Sequence, residues 1–159
     1  MTDSTASPVF RGSVSRVAAR WLHWLDGVPY TWLAIPLRFA VATVFWNSAM
    51  AHLANWQTTL YLFQTDYRLP FLAPVPAAYL AVAIEVTAPV LLILGLLTRI
   101  ASAVLLGMVA VIEIFVYPQA WPTHIQWVAM LVVLLARGPG ALSVDWPVRR
   151  WLIRPNAGI

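Results

Sequence analysis

The run from Pro76 to Leu97 constrains this chain most, because it is almost wholly apolar apart from Glu85 and Thr87. A helix rising 1.5 Å per residue needs about 20 such residues to cross a bilayer. Trp32–Leu53 is a second candidate span, and Ile100–Tyr117, interrupted by Ser102 and Glu113, is a third. The fourth, Trp121–Arg137, is short and begins with the polar Thr123, His124 and Gln126, so it needs local thinning or protein cover. Backbone polar groups find no water in the hydrocarbon, so each span should be helical. The alternating strands of a β-barrel are absent. The expected fold class is an all-α, four-transmembrane-helix bundle.

Composition supports a bilayer. The chain has 159 residues, 61% hydrophobic and 10% charged, against about 25% charged in soluble domains. There is no cysteine, which removes disulfides, thiol redox chemistry, thiolate metal sites and cysteine-held clusters from this chain.

Flanking segments complete the layout. Residues 1–8 lack the charged start and apolar core of a secretory signal and read as a disordered tail. Residues 9–26 place Val14, Val17, Trp21 and Leu25 at helical spacing with Arg11, Arg16 and Arg20 between them. That pattern suits an amphipathic helix lying in the headgroup region. Ala54–Thr65, with Trp56, Leu60, Tyr61 and Phe63, suggests a short outer helix between spans one and two, before a turn through Pro70, Pro74 and Pro76. The membrane domain covers 32–145, and 146–159 forms a basic tail.

All ten positive residues are arginine. Arg11, Arg16, Arg20, Arg99, Arg137, Arg149, Arg150 and Arg154 fall on one side of a four-span chain, and Arg68 on the other. Positive-inside bias then puts both termini in the cytoplasm. Arg38, one turn inside span one, can snorkel to the same face, so Arg38 and Arg99 read as inner-face anchors. No Gly-rich phosphate loop, HExxH or fixed-period repeat occurs, and with the arginines spent on topology no nucleic-acid site is expected.

Ionisable groups inside a membrane are costly and default to functional candidates. Glu85 lies as many residues before Arg99 as Glu113 lies after it, which suggests a common depth in the outer half. His52 closes span one and His124 opens span four from the same side. Arg38, Phe45, Ala49 and His52 share a stripe, flanked by Asn47 and Ser48, and Glu113 and Tyr117 form an i, i+4 pair. Pro89 removes the donor that would bond the Glu85 carbonyl.

Three readings of Glu85, Glu113, His52, His124, Asn47 and Tyr117 stand side by side. They are polar glue between helices. Or they form a small-molecule or quinone pocket, in which an acid or imidazole bonds a carbonyl and transfers a proton while aromatics pack the ring. Or His52, His124, Glu85 and Glu113 hold a metal such as iron, zinc or copper, although no close ligand spacing is present.

Several stretches, in order, resemble the DoxX family. They are Leu37-Arg38-Phe39, Phe45 and Asn47-Ser48-Ala49-Met50-Ala51-His52 with Asn55-Trp56; then Ala77-Ala78-Tyr79-Leu80, Glu85, Pro89 and Gly95-Leu96-Leu97-Thr98-Arg99; and finally Gly138-Pro139-Gly140-Ala141-Leu142-Ser143-Val144-Asp145. Where the family often has Ser-Gly-x-x-Lys, this chain has Ser48-Ala49-Met50-Ala51-His52, exchanging a fixed cation for a proton-exchanging imidazole. The resemblance implies a bacterial inner-membrane protein with redox associations. Related proteins are linked to thiosulfate:quinone oxidoreductases, oxidative-stress complexes and metal-stress operons. The expectation is therefore an accessory subunit that depends on a protein partner or on homo-oligomerisation and binds a quinone or other small ligand. The alternatives are an assembly factor that contacts a partner through Trp56, Tyr67 or Arg68, and a small transporter.

Overall fold

The computed structural model describes residues 8–146, with side chains from residue 16 onward. The expected tail at 1–8 falls almost wholly outside this range, as does all but the first residue of the basic 146–159 segment. The regular elements among the described residues are all helices, with no strand. The chain divides into two compact units, 1–30 and 31–159.

In the first unit, α1 spans Pro8–Asp26, close to the expected 9–26. Val17, Trp21, Leu22, Trp24 and Leu25 are exposed, and the rings of Trp21 and Trp24 meet edge to face at 6.1 Å.

The second unit holds the bundle. Its helices are α2 (Tyr30–Ala54), α3 (Trp56–Thr65), α4 (Pro74–Leu94), α5 (Thr98–Val111) and α6 (Trp121–Arg137). Among the described residues, three helical stretches are long and apolar enough to cross a membrane: Tyr30–Ala54, Pro74–Leu94 and Thr98–Val116. Helix α6, at 17 residues, rises only about 26 Å. The short helix expected after span one is α3, capped by the Asn55 side chain, which accepts from the Thr58 N–H at 3.1 Å.

The core joins four helices through Phe45, Leu92, Leu105, Leu131 and Leu134. Buried alanines, among them Ala42, Ala49, Ala78, Ala88 and Ala101, let the backbones approach. Close packing matters here because lipid tails are as apolar as leucine, leaving little hydrophobic drive for helix association. A second cluster seats Phe63 of α3 against Ala77 and Ala78 of α4.

The α4–α5 turn fixes one end of the bundle. The apolar run carries span two to Leu97, but α4 stops at Leu94 because Gly95 turns left-handed at φ 66°. The Leu96 N–H bonds Leu91 O at 2.9 Å and the Gly95 N–H bonds Leu92 O at 3.1 Å, the Schellman pattern. Arg38 supplies the rest of this cap. Its guanidinium donates to Leu92 O at 2.6 Å and Leu142 O at 2.8 Å, and also to Ile93 O and Pro139 O. Arg38 is therefore buried (4% exposed) and does not snorkel to the surface. A buried guanidinium satisfies carbonyls that a helix end leaves without partners, and its charge suits the negative end of the helix dipole.

The Gly138–Asp145 segment folds over the same turn. The N–H groups of Val144 and Asp145 bond Leu94 O and Gly95 O at 3.3 and 3.0 Å. The Asp145 carboxylate accepts from the Leu97 and Thr98 N–H groups at 2.8 and 3.0 Å, capping α5. This holds Leu97 at a positive φ of 49°, uncommon for a bulky residue. At this end of the bundle Arg99 donates to Ala136 O near the end of α6 at 3.1 Å.

Candidate functional site: two carboxyl–imidazole pairs on a cavity

The bundle of the second unit contains a cavity of about 540 Å³. Helices α2 to α6 and the α3–α4 segment contribute to its wall. Its surface is mostly aliphatic and aromatic, with polar groups at a few points: Ser48, His52, Glu85, His124 and the phenols of Tyr67 and Tyr117.

The first pair joins α2 to α4. Glu85 Oε2 lies 2.8 Å from His52 Nδ1, and Glu85 Oε1 accepts from the Ser48 hydroxyl at 2.8 Å. Ser48 and His52 are four residues apart on α2 and so share a face. The Glu85 side chain is 3% exposed and that of His52 17%.

The second pair joins the end of span three to α6. His124 Nδ1 lies 2.5 Å from Glu113 Oε2. Glu113 sits in a π-helical turn at Ile112–Val116, closed by the Tyr117 N–H on Ile112 O at 2.8 Å. Such turns widen the helix by one residue and occur often at functional sites. The extra residue also revises the expected i, i+4 pairing of Glu113 with Tyr117. Glu113 reaches His124, while the Tyr117 hydroxyl donates to Tyr67 at 3.1 Å.

In both pairs Nδ1 faces the carboxyl, and among the described residues neither Nε2 is hydrogen-bonded. Each pair therefore offers a second ring nitrogen as donor or acceptor, oriented by the carboxyl behind it. Aromatic rings hold the imidazoles in place. His124 lies 4.9 Å from Trp127, Trp127 meets Phe45 edge to face at 5.7 Å, and His52 meets Phe63 at 6.2 Å.

The two pairs differ in level more than residue counting suggested. Gly95–Leu97 is turn, so equal counts from Arg99 are not equal rises. At 1.5 Å per residue, Glu85 lies about 14 Å along α4 from its end at Leu94, whereas Glu113 lies about 22 Å from Thr98.

The fate of each expected site residue is then plain. Glu85, His52, His124 and Tyr117 line the cavity, and Glu113 reaches it through His124. Asn47 is exposed and lies outside the lining, because it is one residue, and so about 100°, away from Ser48. Among the described residues no three His, Cys, Asp or Glu side chains group as metal ligands. His52, His124, Glu85 and Glu113 form two pairs rather than one four-ligand centre. Ser48 was legible only as a flank of the stripe, although its spacing to His52 is a usable signal. The sequence offers Tyr67 only as a partner contact and gives Gly107 no signal, yet both line the cavity.

Tyr67 closes the site on the α3–α4 side. Its phenol pKa is pushed well above the usual tyrosine value, first by burial and then by the hydrogen bond from Tyr117. It stays a neutral hydroxyl throughout the physiological range.

A family model described as DoxX matches residues 33–118, more than half of the chain, so the chain belongs to the DoxX family. No curated protein and no solved structure matches it. The matched region contains Arg38, both carboxyls, His52 and the π turn; His124 and the Gly138–Asp145 segment follow it.

Proposed function

We propose that this DoxX-family membrane protein is an inner-membrane accessory subunit of a redox or stress-response system, and that its cavity binds a quinone or similar lipid-soluble, oxygen-bearing ring. One observation carries the reading. Two oriented carboxyl–imidazole pairs border a single cavity otherwise walled by apolar and aromatic groups. Ligand sites combine an apolar wall with a few placed polar groups in this way. A ring carbonyl would accept from an imidazole N–H, and the carboxyl behind would hold the proton balance. With no cysteine in the chain, electrons would come from or go to a partner protein. With α6 as a fourth crossing, both termini face the cytoplasm, which agrees with the arginine distribution.

A second reading has its own observation. Glu85 ties α2 to α4, and Glu113 ties the π turn to α6, which is what polar glue does in membranes.

Mass spectrometry of the full chain, extracted with its native lipid, separates the two. Ligand binding predicts a co-purifying ring compound that Glu85→Gln depletes while the protein still elutes as a folded species. If no ring compound is found and Glu85→Gln only lowers the melting temperature, the pairs are glue.

A further inference from the structure

The cavity wall changes character from one end to the other. Phe45, Glu85 and His124 are buried, at 2%, 2% and 4% exposure. Leu80 on α4 and Val104 on α5 also line the cavity, yet they are 54% and 41% exposed. Side chains that do both, on helices crossing the hydrocarbon, mark where a cavity meets lipid. Gly107, also in the lining, sharpens the point, since a Cβ there would have no atom within 4 Å. On α5 this leaves a notch where a packed wall would otherwise stand. Phe71, from the segment before α4, meets Phe115 of the π turn edge to face at 5.6 Å, and Phe71 also borders the cavity. By contrast Tyr67, Leu69 and Leu72 of the α3–α4 segment line it as half-buried groups packed on Phe63, Ala77 and Ala78.

We infer that the cavity opens sideways into the bilayer between α4 and α5, and that its ligand is a single-chain amphiphile whose ring lies at the carboxyl–imidazole pairs and whose apolar chain lies in this opening. The inference rests on the ligand-binding reading above and adds the route and the chain. A chain in the notch covers Leu80 and Val104, which a bare ring would leave to the surrounding lipid.

The test uses the full chain in nanodiscs and two probes with the same benzoquinone ring, one chain-free and one with a decyl chain. Binding is read as quenching of Trp127, taken as the difference from Trp127→Phe, with probe concentration expressed per lipid. The decyl probe should bind at least tenfold more tightly. Gly107→Trp, which fills the notch, should weaken the decyl probe tenfold or more and the chain-free probe less than threefold. Equal per-lipid affinities, or equal weakening of both probes, overturn the sideways opening and leave the pocket standing. Failure of both probes to bind the unmodified chain overturns the pocket and this inference together. If Gly107→Trp does not elute as folded protein, Leu80→Trp, at the exposed part of the lining on α4, gives the same reading.

Discussion

Arg38 and Gly95 are in contact so close that a Cβ on Gly95 would lie 2.9 Å from the guanidinium of Arg38. The same Cβ would lie 2.6 Å from Cβ of Ser143. Gly95 is thus required twice, once for its left-handed backbone and once for the space that the buried arginine and the 138–145 segment occupy. Gly95→Ala should therefore destabilise far more than the roughly 1 kcal/mol of a simple left-handed strain. Thermal unfolding in detergent checks it, and a melting temperature within a degree of the parent would contradict the contact.

Arg38 itself should be hard to replace. Arg38→Met keeps much of the stem but removes donors from the carbonyls of Leu92, Ile93 and Leu142. A buried carbonyl left without its donor costs about 1–3 kcal/mol. Arg38→Lys should recover only part of this, since one ammonium cannot reproduce the planar fork. A surface-snorkelling arginine would instead tolerate both changes, so the measured order of stabilities decides the matter.

Asp145 makes a milder prediction. Asp145→Asn retains a side-chain acceptor for only part of the α5 cap, and Asp145→Ala removes it, leaving the Leu97 and Thr98 N–H groups unpaired. The alanine variant should lose about 0.5–2 kcal/mol, the usual cost of losing a helix cap. Hydrogen exchange should quicken at the first turn of α5 before the rest of that helix.

Ser102 should behave in the opposite sense. Its hydroxyl is fully buried and, like that of Thr98, has no hydrogen-bond partner among the described residues. A buried hydroxyl without a partner carries a desolvation cost of about 1–3 kcal/mol. Ser102→Ala should then be neutral or stabilising in chemical unfolding, and a clear loss of stability would show that this hydroxyl is bonded.

Tyr67 gives the pH prediction. Burial and the Tyr117 hydrogen bond raise its phenol in the folded state. Between the unfolded phenol value near 10 and the higher folded value, the unfolded chain has lost a proton that the folded chain keeps. Stability from this group is therefore complete below about pH 10 and declines as pH rises further. Ultraviolet titration should show one late-ionising tyrosine in the parent, absent in Tyr67→Phe and shifted to lower pH in Tyr117→Phe.

Much of the site is legible in the order of residues alone. Ionisable residues in otherwise apolar runs pick out Glu85, Glu113, His52 and His124, because burying such groups is costly wherever they occur. Which imidazole meets which carboxyl is not legible there, since helix rotation and the π turn at Ile112–Val116 follow from packing between segments.

By itself the sequence determined that the chain is helical and membrane-embedded, where the apolar runs lie, and which rare polar groups interrupt them. These are local properties, set by side-chain chemistry against the length of a bilayer-spanning helix. Only the tertiary structure decided that Arg38 turns inward to cap α4, that Asn47 faces out while Ser48 faces Glu85, and that the four candidate ligands form two pairs around a cavity. Each of these depends on how one helix is rotated against another and on how Gly138–Asp145 returns to the α4–α5 turn. Those contacts join residues up to about a hundred positions apart, a range over which helical periodicity carries no information.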